Sequence, residues 1–233
     1  MTRTDSETVV DEIGERFREN FEEIKPRLRG WLHAATAPLS FFSFLVMMVI
    51  ADDVLVRAGV AVFMVSALAL FTCSALYHTR RWSDEARLIW KRIDHANIFL
   101  LIAGSYTPFS LLLLDTREAI IMLSLVWGGA LAGVAFRIFW IGAPRWAYVP
   151  LYLLLGWAAV LYWGDFTANA STAVLVLMIV GGGLYTLGAL AYGFKWPNPW
   201  PRWYGFHEIF HTLTIAAFVV HYVGVSLLAY QSR

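Results

Sequence analysis

Seven stretches of roughly twenty apolar residues, each closed off by a polar connection, leave this chain few ways to fold. They lie at about 31–50, 56–78, 94–114, 119–138, 146–164, 170–193 and 206–229. A helix of about twenty apolar residues crosses the ~30 Å hydrocarbon layer and satisfies its own backbone there. The chain is 59% hydrophobic and 15% charged, against about 45–50% and about 25% in a soluble domain. The pattern predicts an all-α fold, a seven-transmembrane helix bundle over residues 31–233. The one cysteine, Cys73, excludes a disulfide framework and a cysteine-rich metal site. A net charge of +1 carries no footprint for nucleic acid. The expected partner is membrane lipid.

Residues 1–30 form a polar N-terminal segment that holds eight of the seventeen acidic residues. A signal peptide would place a basic stretch before a short apolar core. Here no apolar block begins before Trp31, so no cleavage is expected. Val9, Ile13, Phe17, Phe21, Ile24 and Leu28 recur every three or four residues, the spacing of one helix face. Thr4 and Glu7 fit a capping box at its start. The segment is expected as an amphipathic helix on the membrane surface or on the bundle.

Basic residues orient the bundle. Fifteen of the eighteen Lys and Arg residues fall in the N-terminal segment or after the second, fourth and sixth blocks; Arg57, Arg117 and Arg233 fall on the other side. The expectation is a cytoplasmic N-terminus and a C-terminus outside. Gly129 with Gly133, and the run Gly181–Gly183, allow close helix approach.

Ionisable residues inside a membrane are costly and need a reason. With this orientation His78 ends the second block, Asp94 begins the third, and His207 and His211 begin the seventh. All four then share one depth near the basic side, although the orientation rests on Lys and Arg alone. His207 and His211 are four apart, hence about 40° apart around a helix and about 6 Å along it, so their imidazoles can converge on one ion. Ser74 precedes His78 by the same spacing and faces the same interior. Three histidines leave one position of a tetrahedral zinc open, the arrangement of catalytic sites. Asp94 supplies negative charge that partly offsets a buried divalent cation. Zinc suits three imidazoles and a water, though the residues leave another divalent metal open.

The segment "HEIFH" at 207–211 also reads as H-E-x-x-H, the zinc-protease pattern with a glutamate base between two histidines. Weighing against it is a third histidine on another helix, with a carboxylate sixteen residues later. Glu208, about 100° from His207 around the helix, is expected to turn toward neighbours. His95 and His221 are expected as satisfied interior histidines, His33 as an interfacial residue and Cys73 as a small buried apolar residue.

The segments "SALYH" (74–78), "DHANIFLLIAGSYTPF" (94–109) and "GFHEIFH" (205–211) resemble the signatures of the progestin and adipoQ receptor family in its bacterial haemolysin III branch, a family related to the alkaline ceramidases. The resemblance spans roughly residues 31–230. It implies zinc near the cytoplasmic face, held by His78, His207 and His211, with Asp94 beside the zinc's water. It further implies that Ser74 helps stabilise an oxyanion and that Asp94 acts as general base and acid. Two functions remain open on this basis. One is a zinc-dependent hydrolase of lipid amides or esters; the other is a non-enzymatic, haemolysin-type or receptor-like membrane protein with structural zinc.

Overall fold

The computed structural model describes Pro26, residues 28–140 and residues 142–231. Most of the expected N-terminal amphipathic segment lies outside the described residues. The helices are α1 (Trp31–Ile50), α2 (Val54–Thr79), α3 (Asp84–Leu113), α4 (Thr116–Phe139), α5 (Arg145–Gly156), α6 (Trp163–Asn169), α7 (Thr172–Phe194) and α8 (Phe206–Gln231), with a 3-10 turn at Ala158–Tyr162 joining α5 to α6. Among the described residues there is no β-strand, and seven spans are long and apolar enough to cross a membrane. The fifth of them, Arg145–Asn169, is made of α5, the turn and α6.

Local chemistry sets several boundaries. The Asp53 carboxylate accepts from the Leu55 and Val56 amides at 2.7 and 3.1 Å and starts α2. The third apolar block was expected to begin at residue 94, yet α3 begins ten residues earlier. Ser83 caps it by accepting from the Ala86 amide, and Asp84 and Glu85 occupy its first turn, where carboxylates suit the helix dipole. Arg87, Lys91 and Arg92 interrupt the apolar pattern there without interrupting the helix. Asp94 therefore lies nearly three turns into α3, not at its start.

The fifth span also departs from expectation, because the block at 146–164 read as one continuous helix. The Tyr106 hydroxyl of α3 enters the break. It donates to the Gly156 carbonyl at 2.6 Å and accepts from the Ala159 amide at 2.9 Å. One side chain thus satisfies two backbone groups that an interrupted helix would leave bare in lipid.

Helices adjacent in sequence pack together, α1 closes the bundle against α8, and α5 packs on α7. Helix α3 is innermost: 72% of its apolar window is buried, against 22–44% in the other spans. Between α1, α2 and α8 the Phe63, Phe71 and Phe218 rings meet edge to face, with Phe218 centroids 5.5 and 5.0 Å from Phe63 and Phe71. Such pairs add about 0.5–1.5 kcal/mol beyond their buried area. The column continues through Phe71 to His33, 5.1 Å away, and so leads into the site. Gly133 lies directly against the Phe99 ring, and a Cβ there would collide with it.

Candidate metal centre

Three elements meet at one depth. The last two turns of α2 carry Ser74 and His78, α3 carries Asp94 and His95, and the first turns of α8 carry His207 and His211. One nitrogen from each of His78, His207 and His211 lies within 4.8 Å of the others. The ring centroids are 5.0 Å apart for His78–His207, 5.4 Å for His78–His211 and 4.6 Å for His207–His211. The Asp94 carboxylate faces this cluster, with Oδ2 3.7 Å from His78 Nε2, and Ser74 lines the same small cavity as Asp94. Ser74, His78, Asp94 and His211 are buried, and His207 is partly so. All five residues singled out from sequence are brought together.

This donor set fits a divalent cation. His207 Nε2 and His211 Nδ1 are buried and have no hydrogen-bond partner among the described residues. Burying an imidazole nitrogen without a partner is costly, and a cation on the lone pairs removes that cost. Three nitrogen donors with a carboxylate alongside suit zinc, though they do not by themselves identify the ion.

The structure also adds residues. His33, expected at the interface, is 2% exposed and stacks on His211 with centroids 4.0 Å apart and planes 14° from parallel. It fixes the plane of the His211 ring. Its signal was available: an ionisable residue two positions into a membrane span. Gly30, just before α1, has φ 86°, and a Cβ on it would lie 2.6 Å from that of His78. Only glycine lets the start of α1 pass so close over the end of α2.

Glu208 is fully buried, and both of its oxygens are occupied. Oε1 accepts from Arg29 Nε at 2.7 Å and Oε2 from the Gly205 amide at 2.9 Å. The second bond is the reciprocal half of a capping box at the start of α8. Glu208 therefore ties the approach to α1 onto α8, and its engaged carboxylate is not poised as the base of a protease site.

His95 accounts for both ring nitrogens, one at 2.7 Å from the Lys91 carbonyl and the other at 3.1 Å from the Tyr192 hydroxyl. It is nonetheless closer to Asp94 than a helix wheel suggests, with Nδ1 3.9 Å from Oδ2. His221 lies deeper, against Gly181 and 3.4 Å from the Met178 carbonyl.

A small cavity of about 20 Å³ lies at the centre, lined by His33, Ser74, Asp94, His207 and His211 among others. That is room for about one water. Through His95, Tyr192 and His207 it adjoins an open basin of about 1380 Å³. Through Leu70, Ile98, Phe210 and Thr214 it adjoins a narrow apolar crevice running toward Tyr106, Trp157 and His221.

A family profile described as "Haemolysin-III related" matches residues 21–222. The chain belongs to this family. It is 35% identical over 134 residues to the Hemolysin-3 homolog of Bacillus subtilis (strain 168), and 32% identical over 129 residues to Hemolysin-3 of Bacillus cereus. These alignments cover 58% and 55% of this chain, and 62% and 58% of those proteins. The Adiponectin receptor protein of Drosophila melanogaster is 30% identical over 188 residues, which is 72% of this chain and 41% of that protein. This haemolysin III relative is, with its seven apolar spans, a multi-pass integral membrane protein.

Proposed function

We propose that this haemolysin III-family protein is a zinc-dependent hydrolase of lipid amides or esters, with its site at the cytoplasmic leaflet and its N-terminus cytoplasmic. The carrying observation is that three converging imidazoles and one carboxylate lie between a polar basin and an apolar crevice. An amphiphile has the same division.

His78, His207 and His211 would hold the metal. Zinc, when bound, supplies a Lewis acid for a carbonyl oxygen and lowers the pKa of water to about 7. Asp94 would take a proton at its carboxylate from an attacking water and pass it to the leaving amine or alkoxide. Ser74, which lines the same cavity as Asp94, would orient that carboxylate and turn its hydroxyl toward a developing oxyanion. His33 stacks on the His211 ring and is itself backed by Phe71.

One feature favours the second reading, a non-enzymatic membrane protein with a structural metal: the central cavity holds only about one water. Metal content and turnover of Asp94→Asn separate the two. The hydrolase reading expects wild-type zinc content in that variant and turnover reduced by at least about 10²-fold on lipid amides or esters. His78→Ala should lose the metal itself. Fully metallated wild-type protein that cleaves nothing in a broad panel of lipid amides and esters would leave the structural reading standing.

A further inference from the structure

The basin above the metal cluster is strongly basic: among the described residues that line it, eight of nineteen are Lys or Arg and none is Asp or Glu. Orientation in the membrane accounts for exposed arginines on this face. It does not account for Arg137. In the last turn of α4, Arg137 is 2% exposed, and its Nε and Nη1 have no hydrogen-bond partner among the described residues. Its guanidinium carbon lies 4.3 Å from the centre of the Tyr148 ring. Arg145 repeats the arrangement, 4.5 Å over Tyr192 and 5.0 Å from Phe206, with Nη1 also unpartnered.

A ring face engages the flat side of a guanidinium and leaves its in-plane N–H groups unspent. Those groups form the fork that grips two oxygens of one oxyanion. A buried guanidinium with idle donors is costly unless an anion takes them up. The two tyrosines are joined, hydroxyl to hydroxyl, at 3.2 Å, so the two arginines stand on one shared aromatic platform. Tyr192 also packs on His207, 5.5 Å between centroids, and reaches His95 with its hydroxyl. An anion held by Arg137 and Arg145 would thus sit one ring away from a metal-site histidine.

We propose that Arg137 and Arg145, presented on Tyr148 and Tyr192, form a binding site for a phosphate ester at the mouth of the metal centre. Two forks and the surrounding positive charge match an anion with several acceptor oxygens and more than one negative charge. A membrane offers such esters as phospholipids, so the ligand is an acyl-bearing phosphate head seated in the basin; the one-water central cavity keeps its chain out of the crevice beyond. That this ligand is also the substrate rests on the hydrolase reading above; that it binds does not.

The test is direct binding to the full chain, purified in a neutral detergent with its metal retained. Three probes are used: dioctanoyl phosphatidic acid, dioctanoylglycerol and inorganic phosphate. The phosphatidic acid should bind at least about tenfold more tightly than the neutral glyceride, and Arg137→Gln should remove that preference with metal content unchanged. Arg145→Gln provides the same reading if the first variant fails to fold. Arg137→Lys should restore only part, since it returns the charge without the fork. Competition by inorganic phosphate would assign the site to the phosphate alone; its failure to compete would assign it to a lipid headgroup. Equal binding of the charged and neutral lipids, or undiminished preference in both glutamine variants, overturns the proposal. Because binding is read without turnover, an inactive protein that shows the preference would sink the hydrolase reading and leave this one intact.

Discussion

Replacing Glu208 with alanine separates a tether from a catalytic base. The carboxylate accepts a charge-assisted bond from Arg29 and a backbone bond from Gly205. The first is worth about 1.5–3 kcal/mol, discounted because the Arg29 side chain is 22% exposed and can rehydrate. The second, a helix cap, is worth about 1 kcal/mol. The expected loss is about 2–4 kcal/mol, or roughly 5–15 °C in the unfolding midpoint of a chain this size. Glu208→Gln keeps the shape and one strong acceptor, so it should lose about half as much. Both variants should bind the metal with wild-type stoichiometry, since Glu208 is turned to Arg29 and Gly205. Thermal unfolding in detergent and metal analysis on one preparation supply the readout. A variant with an unchanged midpoint and lost turnover or lost metal would refute the reasoning and revive the protease pattern.

Two further perturbations probe the packing. His33→Ala should leave metal stoichiometry at saturation unchanged but weaken affinity by about 2–10-fold, as loss of a stacked ring pair worth about 0.5–1.5 kcal/mol does; His33→Phe, which keeps a stacked ring, should recover most of it in a chelator competition. Tyr106→Phe removes the hydroxyl that serves Gly156 and Ala159 at the break in the fifth span. It should cost about 1–3 kcal/mol by denaturant unfolding, and an unchanged stability would mean that the break needs no such support.

The membrane architecture was legible because it is written in run length. Each span must be apolar for about twenty residues to cross lipid. A composition rule that acts residue by residue can be read without knowing any neighbour. The His78, Asp94, His207 and His211 grouping was legible for a related reason: an ionisable residue in such a run is conspicuous, and the alternation of basic loops assigns each one a depth. That argument put Asp94 at the edge of its helix, yet it lies nearly three turns inside α3. The boundary failed because "SDEARLIWKRI" carries helix signals over charges, and a hydropathy reading sees only the charges.

What the sequence by itself determined is therefore the number of crossings, the identity of the clustered polar residues and their common level. Contact decided the rest. That His33 lies flat on His211, that Glu208 reaches Arg29 across 179 residues of chain, that Tyr106 occupies a gap in a distant helix, and that two arginines rest on tyrosine faces all depend on the rotation and approach of packed helices. Depth in a bilayer is a one-dimensional property and survives in the order of residues. Azimuth and separation are settled by side chains from different spans competing for the same space, and only the folded bundle holds that information.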